Sequence, residues 1–359
     1  MSEEPRTDPE ALARRQAIIA GYGMGAAVSA MIYLGLELDL YGALHDGPAT
    51  SDELARRTGL RERWLREWLY EQAAARIIDY DGATGRFSIS PETWLLLGDP
   101  DELRSLRSNF AGLTYRVGML DALKDSFRSG LGIPWDERGP RAAEATEALF
   151  RNWYRKVLVP VALPRLDDVV PKLEAGALVA DVGCGTGLAV IEMARAFPKS
   201  HVHGYDTSAQ ALGRASEHLR AAGLTNVTFH DASGDPLPDA PTYDLVTTFD
   251  CLHDMTHPND AAAAIRRAIK PDGAWFIADI DGAPTFEENL AAKPLAPMLY
   301  AISVMSCLSS ALSQEGGAGY GTLGLPEPAM RELVRRAGFS RFRRVDLPHP
   351  VNAYYEARV

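Results

Sequence analysis

From residue 177 to the end of the chain, short apolar runs alternate with helical segments, and that alternation admits few folds. Strands are expected at 177–182, 201–205, 227–230, 243–249 and 274–279. Between them lie helices at 188–197, at 209–222 with Gly223 closing it, and at about 261–269 before a Pro271-Asp272-Gly273 turn. Strands that take turns with helices imply a parallel sheet covered on both faces. A closing helix at 328–337 precedes two last runs, 339–347 and 353–359, close enough in sequence to pair antiparallel. Residues 283–325 break the rhythm with a Met- and Ala-rich stretch and the glycine-dense run 316–321.

Where the first of these strands turns into its helix stands Asp181-Val182-Gly183-Cys184-Gly185-Thr186-Gly187. Three glycines let the backbone bend sharply and let a ligand approach closely. The spacing is G-x-G-x-G with an acid two residues ahead, unlike the G-x-G-x-x-G that seats a pyrophosphate on a helix amino terminus. A ligand without a pyrophosphate is expected. Asp206 ends the next strand, where a carboxylate accepts both hydroxyls of a ribose, and Asp231 ends the third, placed for an adenine amino group. Three acids at three consecutive strand ends converge on the carboxyl edge of the sheet.

This constellation resembles the class I S-adenosylmethionine-dependent methyltransferases over roughly residues 176–282 and 326–359, with 181–187 standing as their first motif. The resemblance implies an α/β, Rossmann-like seven-stranded sheet whose last strand is antiparallel, and S-adenosylmethionine as cofactor. It implies that Gly183, Gly185 and Gly187 line the methionine portion, that Asp206 holds the ribose, and that Asp231 with Ala232 edges the adenine. Asp181, Cys184, Thr207, Phe249 and Asp250 are assigned to the same lining, Cys184 also as a small packing residue. An adenine-binding Rossmann-like domain with another cofactor is the alternative.

The fourth strand ends in Thr248-Phe249-Asp250-Cys251-Leu252-His253-Asp254-Met255, the lip at which a transferred methyl group would point. His253 is the candidate general base, with Asp254 to orient its ring; the bland reading has His253 bonded to a backbone carbonyl. Leu252-His253-Asp254 is similar to the His-Asp pair of the plant-type O-methyltransferase superfamily, whose members carry an N-terminal winged-helix dimerisation domain. The whole chain resembles a bacterial, largely actinobacterial branch of small-molecule methyltransferases, although Met255-Thr256-His257 departs from the plant pattern. His253 and His257 stand at i and i+4, but Pro258 and the lack of a third ligand argue against a metal, and none is expected. For the acceptor pocket and lid, 286–325 is the candidate. Leu295, Leu299, Ile302, Met305 and Leu308 would form one apolar face, Cys307 would line the pocket, and Trp153 with Tyr154 would cap an aromatic acceptor or else pack between domains.

The first hundred residues read differently. Helices at 52–58 and about 61–75, then strand-like runs 77–80 and 86–90 around Asp81-Gly82-Ala83-Thr84-Gly85, give the order of a winged helix. Residues 101–130 look helical, 130–140 is a loop, and a striped helix through Leu149, Phe150, Trp153, Tyr154, Val157 and Leu158 is expected to stop at Pro160. Three domains follow: 1–100 for dimerisation, 101–175 as helical linker, and 176–359 for the cofactor, including the 283–325 insertion. Residues 1–10 are polar and expected to be loose.

A winged helix also suggests a DNA-binding regulator that senses the cofactor, but residues 1–110 hold 12 basic against 18 acidic side chains, and DNA binding needs a basic stripe. No nucleic-acid partner is expected. Residues 17–36 are uncharged and long enough to span a membrane, yet four glycines and several alanines dilute them; Met24, Val28, Met31, Ile32, Leu36 and Leu40 recur at helical spacing. A buried or dimer-forming helix is the favoured reading over a membrane span. Three scattered cysteines and a net charge of -11 fit a cytoplasmic protein. The reading as a whole is a homodimeric O-methyltransferase of a small, apolar or aromatic metabolite. A carbon- or nitrogen-methylating enzyme, or one that uses the cofactor without transferring methyl, remains open.

Overall fold

The computed structural model describes residues 7–359, so most of the polar leader lies outside the described residues. Two compact units divide the chain between Leu113 and Thr114.

The first unit opens with one long helix, Pro9–Glu37, which Asp8 caps by accepting from the Glu10 N–H. Its second half joins a small core with Leu40, Tyr41, Leu44, Leu54, Leu65, Trp68, Leu69 and Phe87. Gly35 is required there, because a Cβ would stand 2.6 Å from the Trp68 ring. Only part of the expected buried stripe forms. Ile32 and Leu40 are buried and Val28, Met31 and Leu36 partly so, whereas Met24 is exposed. The core of so small a unit reaches only the last turns of the helix, and Ile19 and Tyr22 remain 69% and 72% exposed. By length and composition this is the one described helix able to cross a membrane. Helices Ser51–Thr58 and Glu62–Ala74 and the antiparallel pair β1 (Asp79–Asp81) and β2 (Arg86–Ser88) complete the winged helix.

The second unit is built on a sheet of β3 (Leu178–Val182), β4 (His201–Asp206), β5 (Val227–Asp231), β6 (Tyr243–Phe249), β7 (Ile269–Ile280), β8 (Arg341–Val345) and β9 (Asn352–Arg358), in the order β5-β4-β3-β6-β7-β9-β8. All neighbours are parallel except β9, which runs against β7 and β8. Both faces are apolar because successive side chains point to opposite sides. Leu245, Phe276 and Tyr354 enter one core with Val190, Met193 and Leu158. Val246, Trp275 and Tyr355 enter the other with Ile265 and Leu333. Chain order reverses between β3 and β6, which opens a crevice outside their carboxyl ends.

Two local expectations are corrected. The helix Pro140–Trp153 does not stop at Pro160 but continues as a π-helical segment, Tyr154–Ala162. The wider turn removes the clash a proline makes with the carbonyl four residues back, and only one donor is lost. The Pro271-Asp272-Gly273 turn lies inside β7 as an irregularity, since Tyr243 pairs with Ile269 but Leu245 already pairs with Ala274. Residues 283–325 are largely helical, in segments Phe286–Ala292, Ala296–Ile302, the π-helical Ser303–Cys307 and Leu308–Ala311.

Candidate active site

The glycine loop leaves β3 with Gly183, Gly185 and Gly187 all at positive φ, between 53° and 75°. The Tyr205 carbonyl holds its start, accepting from Gly183 N–H at 2.8 Å and Cys184 N–H at 3.1 Å. At Gly183 a Cβ would collide with Cys251 at 2.8 Å, whereas at Gly185 it would meet nothing within 4 Å. Gly185 therefore presents bare backbone to open space, as close approach of a ligand requires.

Asp206 is fastened beside it, accepting from Gly185 N–H and Ser208 N–H at 2.8 Å each. Burial raises its pKa, with the two amide donors opposing. The Ala232 N–H reaches back to the Asp206 carbonyl at 2.9 Å, which brings the exposed Asp231 to the same rim. Thr207 lies between Asp206 and Ser208. Asp181 is different: it is buried under the loop, takes a 2.6 Å bond from the Thr247 hydroxyl, and is pushed up to about 7 by burial. Cys184 packs against Gly204, where a Cβ would come within 2.9 Å of its sulfur, and Cys251 donates to the Val182 carbonyl at 3.2 Å.

His253 sits in a short 3₁₀ turn, Leu252–Asp254, just past β6. Its Nδ1 lies 2.6 Å from Oδ1 of Asp279, at the end of β7; the two side chains are 3% and 1% exposed. The acid that bonds the ring is thus Asp279 and not the adjacent Asp254, which His253 influences only through charge. Burial depresses the imidazole pKa, but Asp279 and Cys307 together outweigh it and hold the ring well above its ordinary value. Burial raises Asp254 to about 6, with His253 and Arg138 opposing. Asp250, at φ 50°, receives the Asn352 amide, and burial together with Asp279 raises it to about 7. Asp250, His253 and Asp279 offer atoms within 4.8 Å of one another, the sole such grouping among the described residues; the exposed His257 has no part in it. Nδ1 of His253 is already engaged by Asp279.

Cys307 also hydrogen-bonds His253 and helps raise its pKa; it lies on the segment where Met305 is half-buried. The glycine run is tied to the reacting turn, with Gly321 N–H bonded to the His253 carbonyl at 3.1 Å and Ala318 N–H to that of Thr256 at 2.9 Å. Trp153 stacks on Tyr354 at 5.4 Å and joins Phe249 and Phe276 in the core of the second unit, the packing between the expected 101–175 segment and the 176–359 domain that is the alternative to an acceptor cap. Tyr154 edges onto Phe249 at 5.4 Å, and its buried hydroxyl has Asp181 and Asp250 as its strongest charged neighbours. Phe249 is likewise a core residue.

Known proteins share this fold. Residues 173–318 match the Methyltransferase domain family, and residues 26–98 match the Rv2258c-like winged HTH domain family. The chain carries a methyltransferase domain behind a winged helix-turn-helix domain. The chain is 35% identical over 109 residues to a ubiquinone biosynthesis O-methyltransferase of Methylococcus capsulatus, covering 30% of this chain and 45% of that protein. The chain thus spans less than half the length of these relatives. Mouse acetylserotonin O-methyltransferase is 27% identical over 93% of this chain and 86% of its own length. In structure, human N-acetylserotonin methyltransferase in complex with SAM superposes with a TM-score of 0.66 at 18% identity, over 99% of each chain.

Sequence reasoning missed Asp279 and Arg138. An acid at the end of a strand parallel to β6 was a usable signal for the first; the buried loop arginine had none.

Proposed function

We propose that this chain transfers a methyl group from S-adenosylmethionine to an oxygen of a small apolar or aromatic metabolite, with His253 as general base. The observation that carries the reading is the buried His253–Asp279 pair at 2.6 Å beside the glycine loop. The cofactor suits the cleft: Gly185 offers open backbone, Asp206 a fastened carboxylate for a ribose, and Asp231 an exposed one for the adenine edge. When bound, it supplies an electrophilic methyl on a positively charged sulfur, which a carboxylate-rich rim attracts.

His253 takes the proton that the acceptor hydroxyl sheds as its oxygen gains the methyl. Nδ1 is committed to Asp279, so the proton goes to Nε2, which the acceptor hydroxyl shares with the Cys307 thiol, and Asp279 stabilises the imidazolium that results. The named relatives, two of them O-methyltransferases, support oxygen as the acceptor atom. A homodimer joined through the winged-helix domain, acting in the cytoplasm, completes the proposal.

The test is transfer of isotopically labelled methyl from S-adenosylmethionine into a metabolite extract. His253→Ala is expected to lower turnover by about 100- to 10,000-fold while S-adenosylhomocysteine still binds. Undiminished turnover in that variant would refute the base assignment.

A further inference from the structure

Arg138 holds a buried positive charge whose hydrogen-bond partners are all neutral; Asp254 is its strongest charged neighbour, and the two form no ion pair among the described residues. It closes the turn Trp135–Arg138 and is 5% exposed. Nη1 donates to the Ser306 hydroxyl at 2.8 Å, and Nη2 donates to the carbonyls of Ser306 and Ile133 at 2.8 and 3.0 Å. The Trp135 ring covers one face, its centroid 4.8 Å from the guanidinium carbon. Every one of these partners is neutral, Nε has no partner at all, and no carboxylate pairs with Arg138 among the described residues. A guanidinium does not shed its charge, and an unpaired buried charge is costly unless a ligand completes it.

The position is built rather than incidental. Gly132 N–H bonds to the Leu312 carbonyl and Ile133 N–H to the Ser309 hydroxyl, each at 2.8 Å, so the loop lies along the segment whose Ser303, Ser306 and Ser309 are buried. At its other end Asp136 accepts from the Ser208 hydroxyl and, at 3.0 Å, from Ala209 N–H, next to the ribose carboxylate. The ionisable groups Arg138 feels most are Asp254, Tyr115 and Cys307, and Cys307 also interacts with His253. The cation therefore stands beside the proposed base.

We propose that Arg138 anchors an anionic oxygen of the acceptor, which makes the acceptor class a hydroxylated acid, carrying a carboxylate or an equally delocalised enolate near the hydroxyl that is methylated. The methylated hydroxyl rests on the methyl-transfer reading; the anion site does not. The positive charge and the unpartnered Nε–H suit an anionic oxygen, and such an anchor acts on the bound acceptor before and during reaction alike, so its loss raises KM more than it lowers kcat.

Calorimetric titration of the full-length protein with the three hydroxybenzoate isomers and their methyl esters tests this, with S-adenosylhomocysteine as a separate titrant. At least one acid is expected to bind tenfold or more tightly than its ester. Arg138→Gln should abolish the preference and Arg138→Lys, which keeps the charge but not the Nε–H, should retain part of it. Equal affinity for acid and ester, a preference that survives in R138Q, or no binding of any acid would overturn the assignment. Should R138Q fail to bind S-adenosylhomocysteine and so be misfolded, the acid-to-ester ratios of wild type and R138K decide. Acid preference without S-adenosylhomocysteine binding by the wild type would sink the methyl-transfer reading and leave Arg138 standing.

Discussion

His253 and Asp279 are 26 residues apart in sequence and 2.6 Å apart in space. Two parallel strands in register bring this about, because Phe249 pairs with Ala278 and the next residues of both chains emerge together at the carboxyl edge. The pair has a pH signature. Asp279 raises the imidazole pKa, so the neutral ring that can accept a proton appears only as pH climbs through that raised value. Wild-type kcat is therefore expected to rise on the alkaline side of neutrality. In Asp279→Asn the limb should move to lower pH while its plateau falls, since the imidazolium loses its counter-charge; a limb that stays in place would remove Asp279 from the mechanism. The same pair stabilises the fold fully below the ordinary histidine value of about 6.5, and this is lost as pH rises through the raised one. At this scale the glycine turn and the placement of Asp206 at its strand end were legible because each is set within a few residues. Asp279 and Arg138 were not, because sheet register and loop burial decide them. The adjacency of His253 and Asp254 in sequence suggested a pairing that the 3₁₀ turn does not make.

Elements were legible where periodicity and end signals agree. Thr50 and Glu53 form a reciprocal capping box, and Gly59 closes the same helix in the left-handed region. Thr50→Ala should cost about 1 kcal/mol and lower the melting of the winged-helix unit by roughly 4–8 °C. A scanning-calorimetry trace of the full chain unchanged by the substitution would contradict this. The two misread elements share a cause. Pro160 signals a helix stop and Pro271 a turn, and in both places the element continues, once by widening the helix and once by looping a few residues out of a strand.

For the whole molecule, the alternation of strands and helices was enough to foresee the parallel sheet and its antiparallel close, since connection rules leave few alternatives. What covers the first half of helix Pro9–Glu37 could not be foreseen from its apolar spacing, which a core, a second copy and a bilayer all satisfy. Ile18, Ile19, Tyr22 and Met24 are at least half exposed, a run of apolar surface that a chain in water rarely leaves bare. Sedimentation is expected to find the wild type as a dimer and Ile19→Glu/Tyr22→Glu as a monomer; a monomeric wild type that floats with lipid vesicles would favour the bilayer. The sheet has a consequence for how the protein is made. Its last strand in sequence, β9, is inserted between β7 and β8 and not added at a rim. While the ribosome is still short of Asn352, the apolar side of β7 has no partner on that flank, and the nascent domain must wait for its final few residues before it can close.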